Sequence, residues 1–184
     1  MTGAWIFICG PSGAGKDSVI AWARQNLANR TDVVFARRVV TRAMQVGSDH
    51  DPITETDFHA QVANGSLRWH WQAHGFFYGV SEHYANDVRA GRLVVVNGSR
   101  AHVNDMPVSP EMRVVQVTAA PDQLALRMNQ RARDSASSVA ARLARNALFD
   151  GMQTDFQIIN DSSLATAGQQ LADYLRDSLV VQQD

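Results

Sequence analysis

Lysine is almost missing from this chain. Of 184 residues 17 are lysine or arginine, and Lys16 is the lone lysine. Genome composition can by itself favour arginine over lysine, but it does not choose which position keeps the lysine. Cysteine is equally scarce: Cys9 stands alone, which excludes an internal disulfide framework and a multi-cysteine zinc site. No apolar run approaches the ~20 residues that a membrane-spanning helix needs. Neither sign of charge dominates, since 17 basic residues face 18 acidic ones for a net charge of −1, with a pI near 6.6. Without a Lys/Arg tract the electrostatic footprint of a nucleic-acid binder is missing, so small molecules are the expected partners. The start, Met1-Thr2-Gly3-Ala4-Trp5, has neither the charged region nor the apolar stretch of a signal peptide. The expectation is a reduced, cytoplasmic protein with no membrane segment. An apolar fraction of 45% argues against disorder, and the length suits one domain with a real core.

What is present alternates. Trp5 to Cys9 is a continuous apolar run ended by a glycine-rich turn, the pattern of a strand buried on both faces. Val19, Ile20, Trp22, Ala23 and Leu27 then recur at helical spacing. Val33 to Val40 reads as one strand and Glu55 to Ala63 as a short helix. Leu67 to Tyr78 reads as short antiparallel strands, and Ser81 to Arg89 as a helix with Ser81 as its N-cap, closed by Gly91. Leu93 to Val96, Arg113 to Thr118 and Phe156 to Ile159 are further core strands. Helices are expected from Pro121 to Arg131, from Ser137 or Ser138 through Leu148, and from Leu164 to Leu179. Strands alternating with helices predict an α/β fold with a five-stranded, mostly parallel core sheet.

The turn after the first strand carries the chemistry. Gly10-Pro11-Ser12-Gly13-Ala14-Gly15-Lys16 satisfies G-x-x-x-x-G-K between a predicted strand and a predicted helix, the setting a phosphate-binding loop requires. Its glycines let successive N–H groups point inward at a helix N-terminus, and the lysine adds a cation for the β and γ phosphates. The usual hydroxyl after the lysine is replaced by Asp17, followed by Ser18. Two readings of Asp17 are open: a hard-oxygen ligand for Mg²⁺, or an acid placed at a helix start by the macrodipole.

Gly10 to Ser18, Thr41-Arg42, Gly75-Phe76-Phe77-Tyr78-Gly79 and the arginine-rich segment Arg131 to Arg145 together resemble the guanylate kinase family of P-loop nucleoside monophosphate kinases, over nearly the whole chain. The resemblance implies one P-loop kinase domain over 1–184, with an acceptor-binding insert near 34–84 and a lid near 130–142. It implies ATP as donor with Mg²⁺, ATP contacts along Gly10 to Ser18 and at Asn160, and an acceptor phosphate gripped by Arg42 and Tyr78. Arg131 and Arg142 would reach the transferring phosphoryl from the lid, the other reading being a solvated basic helix face shared with Arg133 and Arg145. Asn160-Asp161 resembles the family's adenine-side turn, or is a simple strand-ending turn.

Departures from the family pattern are informative. Guanylate kinases carry a second arginine where this chain has Gln45, and carboxylates for the guanine edge where it has Trp69-His70-Trp71 and Asn97-Gly98-Ser99. Losing those acceptors implies a changed substrate. Gly15-Lys16-Asp17-Ser18, Val39-Val40-Thr41-Arg42 and Trp71-Gln72-Ala73-His74-Gly75 resemble the ribose 1,5-bisphosphate phosphokinases of phosphonate catabolism, a branch of the same family. That implies a doubly phosphorylated sugar as acceptor, with Asn97, Ser99 and His74 facing it; His74 otherwise only shapes its turn. A guanylate kinase with altered base contacts and a non-catalytic interaction module are the alternatives, and modules of that kind degrade the phosphate loop that this chain keeps.

Overall fold

The computed structural model describes residues 3–44, 49–107, 109–130 and 152–180. Five strands form one sheet: β1 (Ala4–Cys9), β2 (Val33–Phe35), β7 (Leu93–Asn97), β8 (Met112–Thr118) and β9 (Phe156–Ile159). They lie in the order β2-β7-β1-β8-β9, and every pairing is parallel, with Trp5 opposite both Val94 and Met112. A second sheet holds β3 (Arg38–Val40), β4 (His50–Pro52), β5 (Leu67–Ala73) and β6 (Phe76–Ser81) in the order β4-β3-β6-β5. The helices are α1 (Lys16–Asn26), α2 (Glu55–Ala63), α3 (Tyr84–Arg89), α4 (Arg100–Asp105), α5 (Pro121–Gln130) and α6 (Leu164–Val180). Among the described residues no helix is long and apolar enough to cross a membrane.

Side-chain alternation explains how one apolar strand serves two cores. Ala4, Ile6 and Ile8 point to the side covered by α1 and α6, whereas Trp5, Phe7 and Cys9 point to the side shared with Trp71, Tyr78 and Val80 of the second sheet. Leu93 and Val95 of β7 follow the first set, Val94 and Val96 the second. Each of these large side chains, fully buried, contributes about 1.5–3 kcal/mol of burial free energy. On the helical side α1 and α6 approach closely because the Trp22 ring lies directly on Gly168, where a Cβ would come within 2.4 Å of it.

Two expectations need correction. The stretch 33–40 is two strands: Val33–Phe35 pairs with β7, Ala36 N–H donates to Val95 O at 2.9 Å as the last tie to that sheet, and Arg38–Val40 joins the other sheet. Alternation cannot reveal a strand that changes partners midway. Ser81 does not cap α3, which starts at Tyr84 after His83; Ser81 ends β6 and its hydroxyl faces the His83 ring nitrogen at 2.8 Å. Helix α4 and strand β4 have no counterpart in the sequence pattern, since six and three residues give too little periodicity to read. By contrast α2 begins where expected, with Thr54 accepting the Asp57 N–H at 3.0 Å. The helix expected after Ser137 or Ser138, Gln45, and the arginines 131, 133, 142 and 145 lie outside the described residues.

Candidate active site

A parallel sheet presents the carboxyl ends of all its strands at one edge, and there the loops after β1, β7 and β9 meet. Gly10 to Gly15 follow β1, Asn97 to Ser99 end β7, and Asn160 follows β9. The phosphate loop turns through left-handed backbone at Gly13 (φ 88°) and Gly15 (φ 80°), the latter capping α1. Pro11, Gly13 and Ala14 are buried, while Ser12 and Lys16 are half-buried and Asp17 and Ser18 exposed.

Asn160 holds this loop from below. It is buried, and its side-chain N–H donates to Ala14 O at 2.8 Å. Its own N–H donates to Thr118 O at 2.8 Å, and its carbonyl accepts from Arg127 Nη2 at 2.7 Å. Asp161 beside it accepts the Ala120 N–H at 2.7 Å. The Asn160-Asp161 turn is thus engaged by the protein itself, fixing β9 to β8 and to the phosphate loop.

Lys16, Asp17 and Asn97 form a closed triangle. Lys16 Nζ donates to Asn97 Oδ1 and lies 3.2 Å from Asp17 Oδ1, which also accepts from Asn97 Nδ2 at 2.7 Å. The amide of Asn97 serves both neighbours, one with each end. Lys16's ammonium holds the Asp17 carboxyl down to about 2, from an ordinary 3.8. Burial pulls Lys16 below its ordinary value, and Asp17 offsets part of that pull. Cys9, at the base of the loop, is pushed up to about 11 by burial and is not a thiolate nucleophile.

Residues on the second sheet form the facing group. Thr41 is clamped to β6, its N–H donating to Phe77 O at 3.1 Å and its hydroxyl accepting the Phe77 N–H at 2.9 Å. This sets Arg42, whose guanidinium lies 5.7 Å from the Phe76 ring centre and whose buried Nε has no partner among the described residues. Tyr78 is buried, its ring stacked on Trp71 at 5.5 Å, and Trp71 in turn stacks on His102 at 4.7 Å. Arg38 lies over the Tyr78 ring at 5.4 Å. Of the acceptor residues expected from the sequence, Arg42 and Tyr78 lie in this wall, and Asn97 joins Lys16 across from it. Ser99 is half-buried before α4, and its side chain makes no cap bond there. His74 is exposed at the tip of the β5–β6 hairpin with φ 53°, followed by Gly75 at φ 77°, the backbone of a two-residue turn with both residues left-handed. Arg38 is hidden in the sequence because it lies within an apparent strand; the clue is a charged pair, Arg37-Arg38, interrupting an apolar run.

The His102 end of the stack yields a pH prediction. Burial, with His70 nearby, lowers His102 from 6.5 to about 4. The unfolded chain therefore takes up the proton first. Neutral His102 contributes stability that is fully present above pH 6.5 and lost as pH falls from 6.5 toward 4. His102→Phe, which keeps a ring on Trp71, is expected to flatten that loss in urea midpoints measured at intervals through the window. An unchanged slope would assign the acid sensitivity elsewhere.

A parallel sheet with a glycine-lysine phosphate loop at its carboxyl edge, faced by an arginine-bearing second sheet, defines a P-loop kinase of the guanylate kinase fold. The crystal structure of guanylate kinase from Anaplasma phagocytophilum matches it with a TM-score of 0.72 at 17% identity, covering 97% of this chain and 87% of that one. No family model matches the chain. It is 41% identical over 167 residues to the ribose 1,5-bisphosphate phosphokinase of Acidiphilium cryptum, covering 91% of this chain and 89% of that protein. The same comparison gives 37% over 176 residues with the enzyme of that name from Bradyrhizobium diazoefficiens, covering 95% and 89%. With that from Chromobacterium violaceum it gives 38% over 177 residues, covering 95% of each chain. The chain belongs to the ribose 1,5-bisphosphate phosphokinase family.

Proposed function

We propose that this protein transfers the γ-phosphoryl of ATP to the 1-phosphate of ribose 1,5-bisphosphate, giving 5-phosphoribosyl 1-diphosphate and ADP. The observation that carries the reading is the pairing, in a chain of this family, of an intact phosphate loop with a facing wall of arginines and aromatic rings. The stretch where guanylate kinases place a base-reading carboxylate holds Trp69 and Trp71, which pack into the core, and His70, which is exposed. An acceptor of this kind brings two phosphomonoesters, each carrying about −1.5 to −2 at neutral pH, to a nucleotide that is itself anionic. The attacking atom is already an anionic oxygen, so no general base is required and the residues' work is positioning and charge neutralisation.

Within this reading the loop N–H groups of Gly10 to Lys16 cradle the donor phosphates. Lys16 leaves Asn97 for the β and γ oxygens, and Arg42 holds the acceptor from the insert spanning about 34–84. Tyr78 sets the wall's shape through its stack with Trp71. Arg131 and Arg142, from the lid at about 130–142, meet the transferring phosphoryl. Asp17 fits Mg²⁺ on two counts: it is ionised at any working pH, and it is exposed beside the loop. One carboxylate with substrate phosphates and water is a common Mg²⁺ setting. When bound, the ion would neutralise charge on the donor phosphates. The Asn97–Asp17 hydrogen bond joins the end of β7 to the first turn of α1, so a carboxylate at Asp17 would serve the space where the wider family carries an acid at the position of Asn97.

Two experiments follow. Incubating the protein with MgATP and, separately, ribose 1,5-bisphosphate, ribose 5-phosphate and GMP should give the phosphorus NMR signals of a sugar diphosphate only with the bisphosphate; efficient GMP phosphorylation without that signal would overturn the reading. Asp17→Ser should raise the Mg²⁺ concentration needed for half-maximal turnover by about tenfold, the loss of one charged contact worth ~1.4 kcal/mol. An unchanged Mg²⁺ profile would remove Asp17 from the metal.

A further inference from the structure

Arg37 and Arg38 are chain neighbours with opposite fates. Arg37 is spent on structure: its Nε donates to Asp51 at 2.6 Å, its Nη1 to Asp49 at 3.0 Å and its Nη2 to His50 O at 3.1 Å. The other arginines nearby are committed in the same way. Arg24 pairs with Asp49, and Arg30 with Asp32 at 2.6 Å, around a cavity of about 330 Å³ that holds no uncommitted cation among the described residues. Arg38 turns the other way. It is half-buried, and among the described residues no carboxylate closes an ion pair on it.

What it has is a platform. Its guanidinium lies over the Tyr78 ring at 5.4 Å, Tyr78 stacks on Trp71 within 5° of parallel, and Trp71 on His102 within 16°. A planar fork laid on a rigid aromatic stack keeps its orientation while its five N–H donors stay available. Its electrostatic neighbours come from both halves of the cleft. Asp17 and Lys16 belong to the phosphate loop, and Arg42 and Tyr78 to the facing sheet. Burial is the chief influence against its positive charge and Arg42 adds to it, while Asp17, Tyr78 and Asp49 support it.

We infer that Arg38 holds the attacking phosphate of the acceptor, forking two of its oxygens so that the third faces the γ-phosphorus of the donor. This rests on the reaction proposed above and adds the residue that spans its two substrates. Arg42, tied through Thr41 to β6, remains for the rest of the acceptor. In the transfer an unforked oxygen of the acceptor 1-phosphate forms the new P–O bond. The bond from the γ-phosphorus to the bridging β–γ oxygen breaks, and its electron pair leaves with ADP; no proton need move. Arg38 offsets the repulsion between two phosphates brought into line, a cost that is greatest at the transition state.

Replacing Arg38 by methionine, which keeps an unbranched stem on Tyr78, should lower kcat about 10²–10³-fold. The KM for ATP should stay within about threefold, because the phosphate loop is untouched. Arg38→Lys keeps the charge without the fork and should recover no more than about a tenth of the wild-type rate. Guanidinium ion added to Arg38→Ala should restore turnover in a saturable way, which a purely structural role would not show. The inference is overturned if either the methionine or the lysine variant turns over within about threefold of wild type, or if the loss appears as weaker ATP binding. The wild-type protein assayed in parallel separates the two ideas. If it fails to convert ribose 1,5-bisphosphate, the proposed reaction fails; if it succeeds while the variants match it, the assignment of Arg38 alone fails.

Discussion

Lys16→Ala is expected to reduce phosphoryl transfer by at least about 10³-fold, the scale of losing a charged contact to the transferring group. The fold should survive. Lys16 is half-buried, but its partners lie near water: Asp17 is exposed, and half-buried Asn97 keeps its donor bond to Asp17 while its freed oxygen can accept from water. The thermal midpoint should stay within a few degrees of wild type. With the ammonium gone, the Asp17 carboxyl loses the chief cause of its depression from 3.8 to about 2 and should climb back toward 3.8, a change that carbon NMR of the labelled carboxyl would follow. Lys16→Arg is the sharper variant in a chain that uses arginine at every other long cationic position. A guanidinium is wider and more rigid than the compact ammonium that the proposed transfer moves from Asn97 to a donor phosphate. Its rate should therefore lie nearer the alanine variant than the wild type. An arginine variant retaining most of the activity would show that charge alone suffices at this position.

Gly10→Ala carries the largest expected loss of stability. A Cβ there would stand 2.1 Å from the carbonyl oxygen of Val117, a backbone atom of the neighbouring parallel strand that cannot rotate away. Either β1 and β8 separate at their carboxyl ends or the phosphate loop is displaced. Overpacking against a fixed strand should cost about 3 kcal/mol, a large part of the 5–15 kcal/mol that holds a domain of this size together. Urea denaturation should show the lowered midpoint, and ATP protection against unfolding should weaken at the same time because the loop opens from that residue. An unfolding free energy within about 0.5 kcal/mol of wild type would mean that the strands have slack at this edge.

Much of the fold was legible where a local pattern had one interpretation. Trp5 to Cys9, Glu55 to Ala63 and Phe156 to Ile159 are legible because buried strands and a capped helix are set by their own residues. The break at Ala36 was not, because both halves of 33–40 favour extended backbone and the choice of partner belongs to β7 and β6. For the site, the loop was readable as a motif, and Arg42, Tyr78 and Asn97 through resemblance. Arg38 was hidden by its neighbour: two adjacent arginines look alike in a sequence, and only the placement of Asp49 and Asp51 shows which of them is spent. For Asn160 the sequence leaves an ATP contact and a strand-ending turn open, and only the fold shows that its amide also donates to Ala14 O.

By itself, then, the sequence determined an α/β chain with a phosphate loop and reserved its lone lysine for that loop. These depend on short-range steric and electrostatic rules: apolar runs become buried strands, glycines permit left-handed turns, and a mobile ammonium suits a polyphosphate. Tertiary structure alone decided which cations face the cleft, because that depends on which carboxylates the fold brings to each arginine. It also decided that Asn97 and Asp17, 80 positions apart, share one hydrogen bond, since parallel strands carry their distant ends to the same edge.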